Sequence, residues 1–310
     1  MTALTPLEDA LEQMLTGVRP CSKSQTCALV DALGLVLAED VVATINVPLD
    51  DNSAMDGYAL RVEDLPGPLP VSQRIAASAV GEALQPGTAA RIFTGAPVPA
   101  GANAVAMQEN CDLVDGGITV KGEMRTSENI RSAGQDVAAG AVVLRAGRRL
   151  RPQDLGLLAS VGVASVAVFR PLRVAVLSTG DELVEPGTGG LRSGQLYNSN
   201  RFTLAGLLAK LGMEFVDGGI VPDNAEATAN ALTRAAEIAD CVITTGGVSV
   251  GEEDHVKAQV ERLGRLDLWK LAIKPGKPLA FGAIDETPFI GLPGNPTSVF
   301  ATFCLVARPF

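Results

Sequence analysis

From Leu172 onward, short apolar runs alternate with stretches in which apolar residues recur at helical spacing, and this alternation restricts that part of the chain to a sheet covered by helices. The expected strands are Leu172 to Leu177, Glu214 to Val221, Cys241 to Thr245, Leu266 to Ile273, Leu279 to Phe281 and Phe289-Ile290. Helical patterns cover Ser199 to Leu211, an Ala-rich stretch after Asp223, and Glu252 to Leu263. Asp223 and Glu226 have a capping-box spacing that marks the start of the Ala-rich helix. The series predicts a mostly parallel, three-layer α/β/α domain over 171–310. Ligands of such sheets sit beyond the carboxyl ends of the strands. Ser178 to Glu182, Pro222-Asp223, Thr245 to Asp254 and Gly291 to Asn295 all fall at or just after strand ends, so they are expected to converge on one cleft.

The first half has a different texture. Leu7, Leu11, Met14 and Leu15 predict a helix before Gly17, and Ala28, Leu29, Leu33 and Leu37 predict a second one kinked near Gly34. After Pro48, short apolar stretches (Ser72 to Val80, Ala104 to Gln108, Ile118 to Val120) alternate with Gly, Pro and Asp turns, a β-rich pattern that closes near Val142-Val143-Leu144. From Arg151 a helical pattern returns with Asp154, Leu155, Leu158 and Val161. The expected layout is a small helical and extended domain split into 1–50 and 138–170, with a β-rich domain, 51–137, inserted into it. Ala301 to Phe310 read as a helix that ends the chain.

Composition narrows the possible functions. The 310 residues suffice for two or three domains, and 47% hydrophobic with 4% aromatic residues means cores built from Ala, Val and Leu. Asp and Glu outnumber Lys and Arg, 35 to 25, the reverse of what a general nucleic-acid binder needs to neutralise phosphates. Cys21, Cys27, Cys111, Cys241 and Cys304 are odd in number and form no C-x-x-C pair, and there is a single histidine, His255; neither a disulfide framework nor a zinc site is expected. The N-terminus carries Glu8, Asp9 and Glu12 where a signal peptide would be basic and then apolar. The longest uncharged apolar run, Leu155 to Phe169, is shorter than the roughly 20 residues that cross a bilayer. A cytoplasmic protein without membrane or nucleic-acid partners is expected.

The run Ala239-Asp240-Cys241-Val242-Ile243 leads into Thr244-Thr245-Gly246-Gly247-Val248-Ser249-Val250-Gly251-Glu252-Glu253-Asp254 and then into a helix. Glycines at a strand-to-helix junction let backbone N–H groups approach a phosphate, and the helix N-terminus adds partial positive charge. A tight turn without a ligand is the competing reading of any single Gly-Gly pair. No G-x-x-x-x-G-K-[ST] loop or G-x-G-x-x-G turn opens a helix here, and a Ser-His-Asp hydrolase would have to use His255.

Six blocks stand in one order along the chain: Asp51-Asn52-Ser53-Ala54-Met55-Asp56-Gly57-Tyr58-Ala59, Thr94-Gly95-Ala96-Pro97-Val98-Pro99, Ser178-Thr179-Gly180-Asp181-Glu182-Leu183, the glycine segment, Ile273-Lys274-Pro275-Gly276-Lys277-Pro278, and Gly291-Leu292-Pro293-Gly294-Asn295-Pro296. In these blocks, spread over most of its length, the chain resembles the molybdenum insertases of molybdenum-cofactor biosynthesis, the MoeA and gephyrin E-domain family. The resemblance implies that 171–310 binds molybdopterin, and that the enzyme inserts molybdenum from molybdate into adenylyl-molybdopterin with release of AMP. It also implies Mg²⁺, a homodimer in which Asp56, Thr94 and Asp136 complete the partner's cleft, and contact with the adenylyltransferase of the preceding step. Members of the family usually continue into a further small β domain, which is not expected within these 310 residues.

By the same resemblance Asp56, Glu182, Asp223, Asp254 and Asp136 match the acidic site groups, with Glu182, Asp223 and Asp254 as metal ligands. Lys270 and Lys274 match phosphate-facing lysines, with Lys277 adding positive charge, and Thr94 is a candidate hydroxyl ligand. Ser178, Thr179, Gly180, Thr245, Gly246, Gly247, Ser249, Pro293, Gly294 and Asn295 are the further candidates for holding the substrate.

Each assignment has a structural competitor. Asp56 before Gly57 could shape a turn, Asp223 is a good N-cap, and Glu182 or Asp254 could be solvated residues of a first helical turn. Recurrence of acids at several strand ends beside glycine loops favours the functional reading for Glu182 and Asp254; for Asp223 and Asp136 both readings stand. Lys270, a charge within Leu268-Trp269-Lys270-Leu271-Ala272-Ile273, needs either a partner such as phosphate or a place on an edge strand facing water. Adenylyl transfer to molybdopterin and a peptide-binding scaffold of the gephyrin kind are the alternative functions. The Asp51 to Ala59 and Thr94 to Pro99 blocks argue against the first, because a standalone adenylyltransferase lacks these domains.

Overall fold

The apolar runs at 173–179, 241–245, 278–284 and 287–292 become strands buried along most of their length, as strands between helical layers must be. The computed structural model describes residues 4–16, 18, 23–248 and 255–310. It divides into two units, Met1–Lys23 with Phe169–Phe310, and Ser24–Val168.

The first unit is the α/β domain. Its elements are α1 (Leu7–Thr16), β1 (Arg173–Thr179), α2 (Ser199–Lys210), β2 (Glu214–Val221), α3 (Ala225–Ile238), β3 (Cys241–Thr245), α4 (His255–Leu263), β4 (Gly264–Lys270), β5 (Pro278–Ile284), β6 (Thr287–Leu292) and α5 (Pro296–Thr302). The six strands form one sheet in the order β2-β1-β3-β6-β5-β4. The pairings β1–β2, β1–β3 and β3–β6 are parallel, whereas β6–β5 and β5–β4 are antiparallel. The reversal has a local cause: only Asp285-Glu286 joins β5 to β6, and Asp285 takes the left-handed conformation (φ 49°) of a tight hairpin.

Helices cover both faces. On one, Ala10 and Met14 of α1, Leu204 and Leu208 of α2 and Val299 of α5 pack against Val174, Val176, Ile243 and Ile290. On the other, Leu232 and Ala235 of α3 and Val256 and Val260 of α4 pack against Ala175, Leu177 and Val242. Helix α1, assigned from the sequence to the split N-terminal region, thus belongs to the α/β core. The start of the Ala-rich helix also shifts by one residue: Asn224, not Asp223, is the N-cap, its side chain accepting from the Ala227 N–H at 2.8 Å. Helix α5 passes at Phe303 into a π-helical turn that ends at Ala307, a tighter boundary than the helix expected over 301–310.

The second unit is β-rich. The strands Val71–Ile75, Ala89–Ile92, Gly57–Leu60 and Ala104–Met107 form a four-stranded sheet in that order. Around it lie the cores of Ala59, Ile75 and Ile92 and of Leu60, Leu69 and Ile118. A separate core joins Leu37, Leu150, Leu158, Val166 and Val168. The helix expected over Ala28 to Leu37 does not form; Ser24–Ala28 and Val36–Leu37 are strands flanking Ser165–Phe169, linked by a short 3₁₀ turn, Leu29–Asp31. Leu29 N–H donates to Ala164 O and Ala38 N–H to Ala167 O, so pairing with a distant strand overrides the local helical spacing. The expected helix from Arg151 does form, over Pro152–Ser160, and buried Asp154 accepts from Arg148 Nη2 and from the Arg151 N–H, both at 2.9 Å.

No helix of the described residues is long and apolar enough to cross a membrane. The described cysteines, Cys27, Cys111, Cys241 and Cys304, are unpaired. Burial pushes the Cys241 thiol up to about 12, which leaves it protonated and inert.

Candidate active site

In the α/β unit, Thr179, Gly180, Glu182, Leu183, Leu196, Asn200, Asp223, Thr245, Gly246, Gly247, Gly294, Asn295 and Pro296 line a cleft of about 430 Å³. It lies at the carboxyl ends of β1, β2, β3 and β6, the position a parallel sheet offers to ligands. A larger groove, about 670 Å³, lies against Leu172, Val174, Cys241 and Pro288 near the opposite strand ends and is walled largely by apolar side chains such as Met14, Leu208, Phe281 and Phe303. It gathers no glycine turn, so the smaller cleft is the candidate site.

The glycine turn is built as backbone demands. Gly246 and Gly247 hold φ values of +85° and +63°. A Cβ on Gly246 would stand 2.8 Å from Thr179 O, and one on Gly247 2.4 Å from Val256 Cγ2. Both positions therefore exclude side chains twice over, by conformation and by space. The Gly246 N–H is committed to Leu292 O at 3.1 Å, which ties the turn to β6. The Thr179 hydroxyl donates to Thr245 O at 3.3 Å and closes the other side.

Glu182 and Asp223 reach the cleft from the segments after β1 and β2. Partial desolvation by the cleft wall raises the Asp223 carboxyl above the ordinary carboxylate value, and the charges of Asp181 and Glu182 push the same way. The Asp223 N–H donates to Asp181 Oδ1 at 3.1 Å, so Asp181 holds the Asp223 backbone in place. Among the described residues no group of three or more His, Cys, Asp or Glu side chains is arranged to hold a metal. Two of the three expected metal ligands, Glu182 and Asp223, share the cleft; the third, Asp254, lies outside the described residues, as does Ser249.

Other candidates stand elsewhere. Ser178 is buried beneath the cleft, donating to Asn198 Oδ1 at 3.2 Å and accepting from the Thr245 hydroxyl at 3.3 Å, so both hydroxyls brace the floor. Pro293 is buried and is not among the lining residues. The carboxamide of Asn295 caps α5 by accepting from the N–H groups of Thr297 and Ser298. Lys270 sits half-buried on β4, the outermost strand, where the Thr5 N–H donates to its carbonyl. Lys274 and Lys277 are exposed, and none of the three lysines lines the cleft.

The β-rich unit carries a second cluster of candidates. The Asp56 carboxylate accepts from both the N–H and the hydroxyl of Thr94, at 2.8 and 2.7 Å, and these bonds hold it below the usual carboxylate range. Gly57 is a strand residue, not a turn: a Cβ there would lie 1.9 Å from Ala106 O. Asp136 is paired with Arg131 at 2.5 Å. Leu183, Leu196, Asn200 and Pro296 were not among the candidates, although Leu183 and Pro296 stand in two of the six blocks; for Asn200 the small polar run Asn198-Ser199-Asn200 at the start of α2 was the sequence signal.

Residues 5–162 match the family described as MoeA N-terminal region (domain I and II), and residues 175–310 match the probable molybdopterin binding domain. A molybdopterin molybdenumtransferase of Haemophilus influenzae is 47% identical over 98% of this chain and 76% of its own length. Molybdopterin molybdenumtransferase 2 of Mycobacterium tuberculosis is 39% identical over 100% of this chain and 78% of its own. The crystal structure of a molybdopterin biosynthesis moeA protein from Pyrococcus superposes with a TM-score of 0.88 at 34% identity, covering 99% of this chain and 79% of that one. By sequence over nearly its whole length, by both domain matches and by fold, this chain belongs to the molybdopterin molybdenumtransferase family.

Proposed function

We propose that the protein is the transferase that inserts molybdenum from molybdate into adenylyl-molybdopterin, cleaving the phosphoanhydride and releasing AMP. The observation that carries this reading is the convergence of Glu182, Asp223, the Gly246-Gly247 turn and Gly294-Asn295 on one cleft, in a chain of this family. The Gly246-Gly247 turn, which lines the cleft in a conformation that excludes side chains, is the proposed seat of the phosphates. Lys270, Lys274, Lys277 and Asp254 belong to the same reading, the lysines as groups that neutralise the phosphates.

Mg²⁺ is part of the proposal. Glu182 and Asp223 offer hard oxygen ligands, and the Asp223 carboxyl, raised first by desolvation and then by the charges of Asp181 and Glu182, would be ionised more readily beside a cation. Glu182 and Asp223 would hold the ion, which when bound would supply positive charge to offset that building on the leaving phosphate. The chain's own contribution is to bring both carboxylates to one cleft from the segments that follow two adjacent parallel strands.

The ionised Asp56, fixed by Thr94, and the Asp136–Arg131 pair form the second group of proposed site residues. A cytoplasmic homodimer that takes its substrate from the molybdopterin adenylyltransferase completes the reading. The separate cores around Leu158 and around Ile92 support the finer division of the first half into a split domain, 1–50 with 138–170, and an insertion, 51–137, apart from α1. Incubation with adenylyl-molybdopterin, molybdate and Mg²⁺ tests the function: AMP release coupled to formation of molybdenum cofactor supports it, and binding without AMP release rejects it.

A further inference from the structure

We propose that Asn200 is a specificity residue whose Oδ1 accepts a hydrogen bond from the exocyclic amino group of a planar heterocycle in the bound substrate; this rests on the function proposed above. Asn200 stands in the first turn of α2, is only 9% exposed, and lines the cleft. Its Nδ2 donates to Gly294 O at 2.7 Å, which fixes the orientation of the carboxamide, because the opposite orientation would set two acceptors face to face. The remaining atom, Oδ1, is buried and has no hydrogen-bond partner among the described residues.

Neighbouring polar groups are committed elsewhere. Asn198 accepts from Ser178 and donates to Glu185, Thr245 donates to Ser178, and the Arg201 guanidinium pairs with Glu185 and Asp217. A buried carbonyl oxygen of this kind calls for a donor. Ionised phosphate carries only acceptors and is repelled; a ring amino group is a donor of the right kind. The wall beside Asn200 suits a ring as well: Leu183 and Leu196, paired in register, and Pro296 line the same cleft. The cleft thus combines two chemistries: carboxylates and a glycine turn suited to the phosphates, and Asn200 with Leu183, Leu196 and Pro296 suited to a flat, amino-bearing ring.

The substrate holds two such rings, a pterin and an adenine, and titration distinguishes them. The wild-type protein and Asn200→Leu are titrated with 6-hydroxymethylpterin against its 2-oxo analogue, and with AMP against inosine monophosphate, in which oxo replaces amino. The wild type is expected to prefer the amino member of one pair by about tenfold, with that preference absent in Asn200→Leu. The pair that discriminates names the ring. A purely structural role would weaken both members of each pair equally. A wild type with no preference in either pair, or a preference that survives in Asn200→Leu, overturns the inference while leaving the function standing. A wild type that binds neither pterin nor AMP overturns the function as well.

Discussion

The carboxylate of Asp56 receives two hydrogen bonds from Thr94, one from its N–H and one from its hydroxyl, across 38 positions of sequence. One residue thereby closes a loop of the β-rich unit and keeps an acid ionised. In Thr94→Val the hydroxyl bond is lost, and the Asp56 carboxyl is expected to move up toward its ordinary value in an NMR titration. Because the folded value is depressed, the stabilisation is present above the unfolded carboxyl value of about 3.9 and is lost as pH falls through the lower folded value. The stability gap between wild type and Thr94→Val is therefore expected at neutral pH and should vanish in strong acid; a gap that persists there contradicts the assignment.

Asp223 has the opposite sign. Its folded value is raised, so its protonated form is the one the fold tolerates; that contribution is full below about pH 3.9 and is lost as pH rises through the raised value. Asp223→Asn is expected to melt higher than wild type at neutral pH without Mg²⁺, and to bind Mg²⁺ more weakly by calorimetry. Wild-type Mg²⁺ affinity should increase with pH over the range in which Asp223 ionises. Equal Mg²⁺ affinity in the two proteins would remove Asp223 from the metal site.

Gly57 is needed for close backbone approach. Its Cβ would stand 1.9 Å from Ala106 O, a backbone atom inside the same sheet. Gly57→Ala is expected to destabilise the β-rich unit by roughly 3 kcal/mol or more in urea unfolding, since the strands must separate. Gly34→Ala is a useful comparison: nothing lies within 4 Å of its Cβ, and only the positive φ of +79° opposes it, a cost of about 1–2 kcal/mol.

Glu182→Gln keeps shape and volume at an exposed position, so the fold should be retained. AMP release is expected to fall by about 100-fold or more, as for loss of a charge aligned with the reacting group. Unchanged release would remove Glu182 from the chemistry.

Much of the α/β unit was legible because buried parallel strands advertise themselves: Arg173–Thr179 and Cys241–Thr245 are largely apolar, buried runs. What the residues could not reveal depends on distant partners. Ala28 to Leu37 has apolar spacing that fits a helix, yet its backbone groups bond to the strand at Ser165–Phe169. The reversal at β5 depends on a two-residue link that looks like any other turn. Glu182, Asp223 and the glycines could be placed in one cleft because each follows a strand end. Asn200 could not, since its significance lies in a carboxamide locked by Gly294 and an oxygen left without a donor, neither of which has a sequence signature. Ser178 and Thr245 showed the converse: suitable hydroxyls at strand ends that turn inward and bond to one another.

The central claim is that the cleft at the carboxyl ends of β1, β2, β3 and β6 holds the nucleotide-bearing substrate. A crystal soaked with AMP, molybdate and Mg²⁺ tests it most directly. The phosphate is predicted to lie at Gly246-Gly247, with the cation between it and Glu182 and Asp223. Density for AMP in the groove beside Met14 and Phe281, or none in the cleft at saturating concentration, would contradict the account.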